Sequence, residues 1–399
     1  MPTPCIDREE DVPSYTLPKV LAHHDGTPIT TAGAWRLRRA ELLEVFAREI
    51  YGHTPAEPVT MSVADEVTQE WLDGLAQLRQ VTLTFRSRHG EARFQVAVVT
   101  PAVHARPVPV FIALNFWGNH AISPDLALRE PQPAPGMEPR ARGSSRDRWP
   151  LRDLVQAGFA VVTAWRGEIA PDHADHWRKG VAALFGPHAP GAIGLWSWAL
   201  SRLLDYARQI PALDTRRAIA LGHSRLGKAA LWAAAQDERF AAAVSNDSGC
   251  LGAALCRRRF GETIETITDR FPYWFAPALH AYRGREDALP VDQHQLLALM
   301  APRPLYVASA SEDLGADPRG EYLAAREAAL AYSIFQDVPH SALPEAGPAP
   351  GAGVVCGRVG YHLRVGPHNI LAEDWGHFMR FAGSQLPPGV SDDAPASEA

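Results

Sequence analysis

The sequence predicts an α/β protein, a mostly parallel central sheet with helices on both faces, an N-terminal cover and surface insertions. Two observations carry that expectation. From Phe159 onward, short apolar runs alternate with longer segments of helical spacing, and parallel strands can be joined in that order only through crossovers. The run over residues 108–114 is continuously apolar rather than alternating, as a strand covered on both faces requires. The composition agrees, since 399 residues at 46% apolar and 21% charged can bury a sizeable core.

Residues 1–75 read as a lead and a covering helix within the same unit, because Trp35, Leu42, Leu43, Phe46 and Ile50 recur at helical spacing. Period-2 alternation predicts strands over 80–86 and 94–100, and 108–114 follows as the first buried strand. Residues 123–150 are too polar and proline-rich for a regular element and read as a surface insertion. Strand and helix then alternate: strand 159–164, helix 193–209, strand 218–221, helix 226–236 and strand 241–245. A second insertion spans about 252–289. After it come helix 291–300, strand 305–309, helix 321–335, a short strand 357–363 and a closing helix 371–381. The catalytic unit is therefore expected over 76–385, with a disordered tail at 386–399.

Several function classes are excluded at this level. A net charge of −6 offers no electrostatic footprint for nucleic acid. No apolar run approaches the ~18 residues of a membrane span, and the opening MPTPCIDREEDVPSYTLP lacks the order of a secretory signal. A cytoplasmic protein is expected if Met1 is native, and a secreted or periplasmic one if the chain is a trimmed form. The four cysteines, Cys5, Cys250, Cys256 and Cys356, form no C-x-x-C pair and read as free thiols. The run Arg257 to Arg259 reads as solvated surface. Only Lys19, Lys179 and Lys228 are lysines among 39 basic residues, so a lysine inside a motif stands out.

The chemistry gathers around Gly222-His223-Ser224-Arg225-Leu226-Gly227-Lys228, which joins a strand to an alanine-rich helix. That setting is a nucleophile elbow, in which a tight turn pushes Ser224 out of the bend and the helix N-terminus faces a developing oxyanion. The second glycine stands three residues after the serine rather than two. In α/β-hydrolases the order is nucleophile, acid, histidine, with the histidine after the last strand. His368 in Gly366-Pro367-His368-Asn369 fits that place, while His362 and His377 lie inside a strand and a helix and read as structural. Two strand ends deliver an acid: Asp313 after strand 305–309, in the usual position, and Asp247 after strand 241–245. Both stay open. Asp172, His173, Asp175 and His176 have metal-ligand types at short spacing but read as polar rim, and no metal or cofactor is expected. Trp274, in the second insertion, is the tryptophan expected to line a cleft, and the loop Asn115 to Asn119 is placed either to share in oxyanion binding or simply to turn.

Taken together, GHSRLGK, SNDSGCLGAAL, FGET, LPVDQH, MAPRP, SEDLGADPRGEY, GPHNILAEDW and LNFWGNH resemble the bacterial glucuronoyl esterases of carbohydrate esterase family 15, over about Pro13 to Phe381. The resemblance implies an α/β-hydrolase cleaving the ester between a (4-O-methyl)glucuronic acid branch of glucuronoxylan and a lignin alcohol. It implies Ser224 as nucleophile, Arg225 as an oxyanion-holding arginine, and Lys228 and Glu262 as sugar-binding residues. It places the family's acid on Asp247, where many members carry glutamate, and a second acid on Asp313. Two departures are visible: His223 stands where a cysteine is often found, and Gly315 where tryptophan is expected. A monomeric serine esterase is the expectation. An acetylxylan or other small-ester carboxylesterase is the alternative, and a non-catalytic hydrolase-like binding protein comes last.

Overall fold

The computed structural model describes residues 6–131, 136–137 and 140–387. Its strands form one sheet, in the order β1 (Thr60–Trp71), β2 (Ala76–Arg86), β3 (Glu91–Pro101), β5 (Ala160–Trp165), β4 (Val108–Asn115), β6 (Leu213–His223), β7 (Ala242–Asn246), β8 (Leu305–Ala310), β10 (Val359–Arg364) and β9 (Ala352–Cys356). Pairing is antiparallel from β1 to β5 and again between β10 and β9, and parallel from β5 through β10. The expected mostly parallel sheet is therefore present, with an antiparallel meander added at its start.

Helices cover both faces because the buried strands are apolar on both sides. In β4, Val110, Ile112 and Leu114 pack on one face and Phe111 and Ala113 on the other. The first face is covered by α1 (Ala32–Phe46), α2 (Ala192–Ala207), α3 (Arg225–Gln236), α5 (Gln293–Ala298) and α6 (Pro318–Ala329), through residues such as Trp35, Trp196, Trp232, Leu297 and Ala325. The second is covered mainly by α7 (Ala372–Gln385), whose Trp375, Phe378 and Phe381 meet Phe111 and Tyr306. A further helix, α4 (Ile264–Arg270), sits in the second insertion.

Three expectations are corrected. Residues 60–71 belong to the sheet and not to the cover, and β9 was not anticipated. Both are edge strands: β1 is almost wholly exposed and carries Asp65, Glu66 and Glu70, the charges that keep an edge from pairing with other chains. Arg257 to Arg259 are not solvated surface. Arg257 bonds Asp292, Arg258 bonds Asp317 and Glu9, and Arg259 meets Glu286, with Arg258 2% exposed. Cys250, Cys256 and Cys356 are free thiols, as expected, and Cys5 lies outside the described residues. The expected tail falls largely outside them too, as does part of the insertion at 123–150. Among the described residues no helix is long and apolar enough to cross a membrane.

Candidate active site

The carboxyl ends of β6, β7 and β8 converge on a cavity of about 490 Å3. At the end of β6 the chain turns through Ser224 at φ 57°, ψ −133°, a conformation that L residues avoid, and enters α3 at Arg225. Both flanking glycines are required by close approach. A Cβ on Gly222 would lie 2.0 Å from the Leu226 carbonyl oxygen, and one on Gly227 would lie 2.9 Å from Ser248 Cβ. The Ser224 amide donates to Asn246 O at 2.8 Å, tying the elbow to the neighbouring strand end. Among the described residues the Ser224 hydroxyl has no hydrogen bond of its own. It shares the cavity with His368, and such bonds commonly tighten only with substrate in place.

His368 Nδ1 donates to Asp313 Oδ2 at 2.5 Å, which leaves Nε2 as the ring's free acceptor. Its loop is fixed from below by Arg364, whose guanidinium donates to the Pro367 and Asn369 carbonyls at 2.8 and 3.1 Å and to Asp374 at 3.1 Å. The buried ring of His223 packs against His368 with centroids 4.5 Å apart, and burial, then the His368 charge, holds His223 well below the usual histidine range. A neutral ring therefore lies against that of His368.

Asp247 also comes to this point. It sits at φ 46° after β7, its Oδ2 accepts from the Asn369 amide at 3.2 Å, and its Oδ1 is buried with no hydrogen-bond partner among the described residues. One ligand atom from each of Asp247, Asp313 and His368 falls within a sphere where all are less than 4.8 Å apart. That is the only such grouping of metal-ligand types among the described residues, and within it His368 and Asp313 are hydrogen-bonded to each other. Burial, with Glu321 and Asp313 nearby, pushes the Asp247 carboxyl well above the usual carboxylate range. Glu321, at the start of α6, holds the same loop. Its Oε1 accepts from the Ser248 and Gly249 amides at 2.8 and 2.9 Å and its Oε2 from Ser309 Oγ at 2.5 Å, while burial raises it to about 8.

Arg225 reaches Asp172 with its guanidinium and lies over the rings of Trp274 and Phe271, at 4.6 and 5.1 Å. Asp172 is the hub of this wall. It pairs with buried Arg166 at 2.5 Å and accepts from Tyr273 Oη at 2.7 Å and Trp274 Nε1 at 2.8 Å. Burial alone would raise its carboxyl, but the two arginines and the two hydrogen bonds outweigh that and hold it to about 2. Asp172 is thus committed to this wall, while the rings of His173 and His176 stack on each other. Trp274 lines the cavity, as expected, but at 2% exposure it is stacked on Phe271 at 3.7 Å and lies under the Arg225 guanidinium.

Lys228 and Glu262 line the same cavity 3.9 Å apart, with Lys228 buried and donating to Ser248 O. The Asn115 to Asn119 loop is occupied with itself: Asn115 donates to Asn119 and accepts from the Gly118 amide, so it turns the chain. His362 is bonded to Asp374 and Tyr306, as a structural histidine.

Residues 147–336 match the family model of the fungal glucuronyl esterases. Carbohydrate esterase MZ0003, from an unknown prokaryotic organism, is 37% identical over 96% of this chain and 92% of its own. The chain belongs to the glucuronoyl esterases, carbohydrate esterase family 15. The glucuronoyl esterase from Solibacter usitatus superposes with a TM-score of 0.86 at 36% identity, covering 95% of this chain and all of that one. The 4-O-methyl-glucuronoyl methylesterase of Hypocrea jecorina is 26% identical, over 71% of this chain and 54% of its own. Family membership fits the α/β-hydrolase architecture described above. Sequence reasoning had not found Asp172 as the support of Arg225, nor Arg364 and Glu321 as anchors of the His368 and Asp247 loops. The one signal for Asp172 was an acid following a strand end on the catalytic edge of the sheet.

Proposed function

We propose that the chain hydrolyses the ester between the carboxyl of a (4-O-methyl)glucuronic acid and an alcohol, as in the lignin esters of glucuronoxylan, through an acyl-enzyme. The observation that carries this reading is the His368–Asp313 hydrogen bond in the cavity that also receives the strained Ser224. His368 Nε2 takes the Ser224 proton, Oγ attacks the ester carbonyl, and the imidazolium then protonates the departing alcohol. Water, activated by the same histidine, releases the uronic acid. The developing oxyanion meets the Arg225 amide at the N-terminus of α3 and the Arg225 guanidinium, which Asp172 holds in place before any substrate arrives. Asp313 is the first acid and Asp247 an auxiliary one. Lys228 and Glu262 supply a donor and an acceptor to sugar hydroxyls. Every group comes from one chain, so the reading is that of a monomer.

Gly315 favours keeping the small-ester carboxylesterase reading beside it. A Cβ there would meet only Asp313 Oδ1, at 3.7 Å, so this rim is open where the resemblance implies an aromatic wall. Hydrolysis of methyl and benzyl glucuronate, measured beside release of acetate from an acetylated xylan oligomer, separates the two. Turnover of the acetylated oligomer alone would overturn the uronate reading.

A further inference from the structure

Ser224 and His368 stand on different loops, and a proton passes between their side chains only while those loops keep their spacing. Each loop has its own support: the strained turn into α3 for Ser224, and Arg364 for His368. Among the described residues one side chain hydrogen-bonds to both. Asn246, the last residue of β7, lies beside His223 in the parallel register of β6 and β7 and is 1% exposed. Its main-chain carbonyl accepts from the Ser224 amide at 2.8 Å. Its side-chain Nδ2 donates to His223 Nδ1 and to the Asn369 carbonyl, each at 3.0 Å. The nucleophile, the residue before it and the residue after His368 therefore all meet on Asn246.

The amide is fully committed to this task. An asparagine NH2 has two protons, and here one goes to each loop. The Asn369 carbonyl can only accept, which fixes the end of the amide that faces it and leaves His223 Nδ1 as an acceptor, with the ring proton on Nε2. That arrangement needs a neutral His223, and burial, followed by the His368 charge, keeps the ring so. The other end of the amide gains nothing: Oδ1 is buried with no hydrogen-bond partner among the described residues. A buried acceptor left unpaired costs stability, so the group is placed for the two bonds it donates and not for the fold as a whole.

We propose that Asn246 is a positioning residue for the ester hydrolysis described above, its single amide holding the His368 loop at a set distance from the Ser224 turn so that Nε2 and Oγ meet when substrate enters. The inference rests on the Ser224–His368 reading of the mechanism and deepens it.

The test compares Asn246→Leu and Asn246→Ala with the parent chain; leucine keeps the branched shape of the side chain and removes both donors. Each variant is expected to lose roughly 10–100-fold in kcat on methyl glucuronate with KM within about twofold, since an ångström of misplacement costs on the order of 10²-fold. The rate of fluorophosphonate labelling at Ser224 should fall by a similar factor, because it draws on the same activation by His368. A merely structural role would lower the unfolding temperature and leave kcat and labelling of the folded enzyme unchanged. His223→Phe removes one of the two acceptors and keeps a ring against His368, so it should lose less, roughly threefold to tenfold, and add little to Asn246→Leu. Rates within about twofold of the parent in a folded Asn246 variant, or a loss confined to KM, would overturn the role. If neither Asn246 variant folds, an unchanged kcat and labelling rate in His223→Phe would overturn it. A parent chain that labels at Ser224 but leaves methyl glucuronate intact would refute the uronate esterase reading, and the labelling rates would still decide the part played by Asn246.

Discussion

Asp313→Asn tests the division of labour between the two acids. In a triad with one acid, losing it costs about 10⁴-fold in kcat, because the histidine is left in the wrong tautomer and its charge unsupported. Here a second carboxylate remains, with a ligand atom less than 4.8 Å from that of His368. At that separation and an effective dielectric of about 20, a full negative charge stabilises an imidazolium by about 3.5 kcal/mol, a few hundredfold in rate. Part of this is withheld, since burial, Glu321 and Asp313 keep the Asp247 carboxyl well above the usual carboxylate range and so partly neutral. Removing the Asp313 charge relieves one of those causes. Asp313→Asn is therefore expected to lose roughly 10–100-fold in kcat, with residual activity that climbs with pH as Asp247 ionises. Asp247→Asn should lose less, and the double variant should approach the full 10⁴-fold loss. Steady-state kinetics on methyl glucuronate between pH 5 and 9, with folding checked by circular dichroism, reads all three. If Asp313→Asn is as inactive as the double variant, Asp247 contributes no charge to the imidazolium and the reasoning fails.

Three further outcomes are expected. Ser224→Ala should lose at least about 10⁴-fold in kcat and resist labelling by a fluorophosphonate; activity within tenfold of the parent would remove Ser224 from the mechanism. Asp172→Asn leaves two arginines without their counter-charge, so kcat should fall about 10–1,000-fold with little change in KM, and thermal unfolding should show a loss of about 3–5 kcal/mol. Because Asp172 sits at about 2 when folded, below its ordinary 3.8, its contribution is complete above that ordinary value and drains away as pH falls toward 2, a loss of about 2 kcal/mol that the variant should not show. Gly315→Trp has open space and an ordinary φ, so it should fold normally and lower KM for glucuronate esters about threefold to tenfold; an unchanged KM would mean that the rim at 315 does not meet the sugar.

Much of this was legible from residues because the elbow, its helix and the continuous core strands are specified locally. Gly222, Ser224 and Gly227 announce a strained turn wherever they stand, and β4 reads as buried from its own composition. What stayed hidden depends on partners distant in the chain. Arg257, Arg258 and Arg259 look solvated until Asp292, Asp317 and Glu286 are brought beneath them by folding. Trp274 was legible as a cleft residue, but not that Phe271 and Arg225 would lie against its ring. β1 was passed over for a different reason: an exposed edge strand owes nothing to a buried face, so its sequence lacks the apolar signature of one, whereas β9, AGVVC, is apolar but only five residues long.

Glu321 ties the ends of two strands to a single buried carboxyl, gripping the loop of Asp247 and reaching Ser309 just before the loop of Asp313. The Asp247 loop hangs on that carboxyl through two amides, while the Asp313 loop is also closed by its own backbone, Asp313 N donating to Ala310 O and Ala316 N to Asp313 O. A substitution that removes one carboxyl therefore leaves the backbone that carries the other joined to the same buried Glu321, whereas a substitution at Glu321 would loosen two strand ends at once.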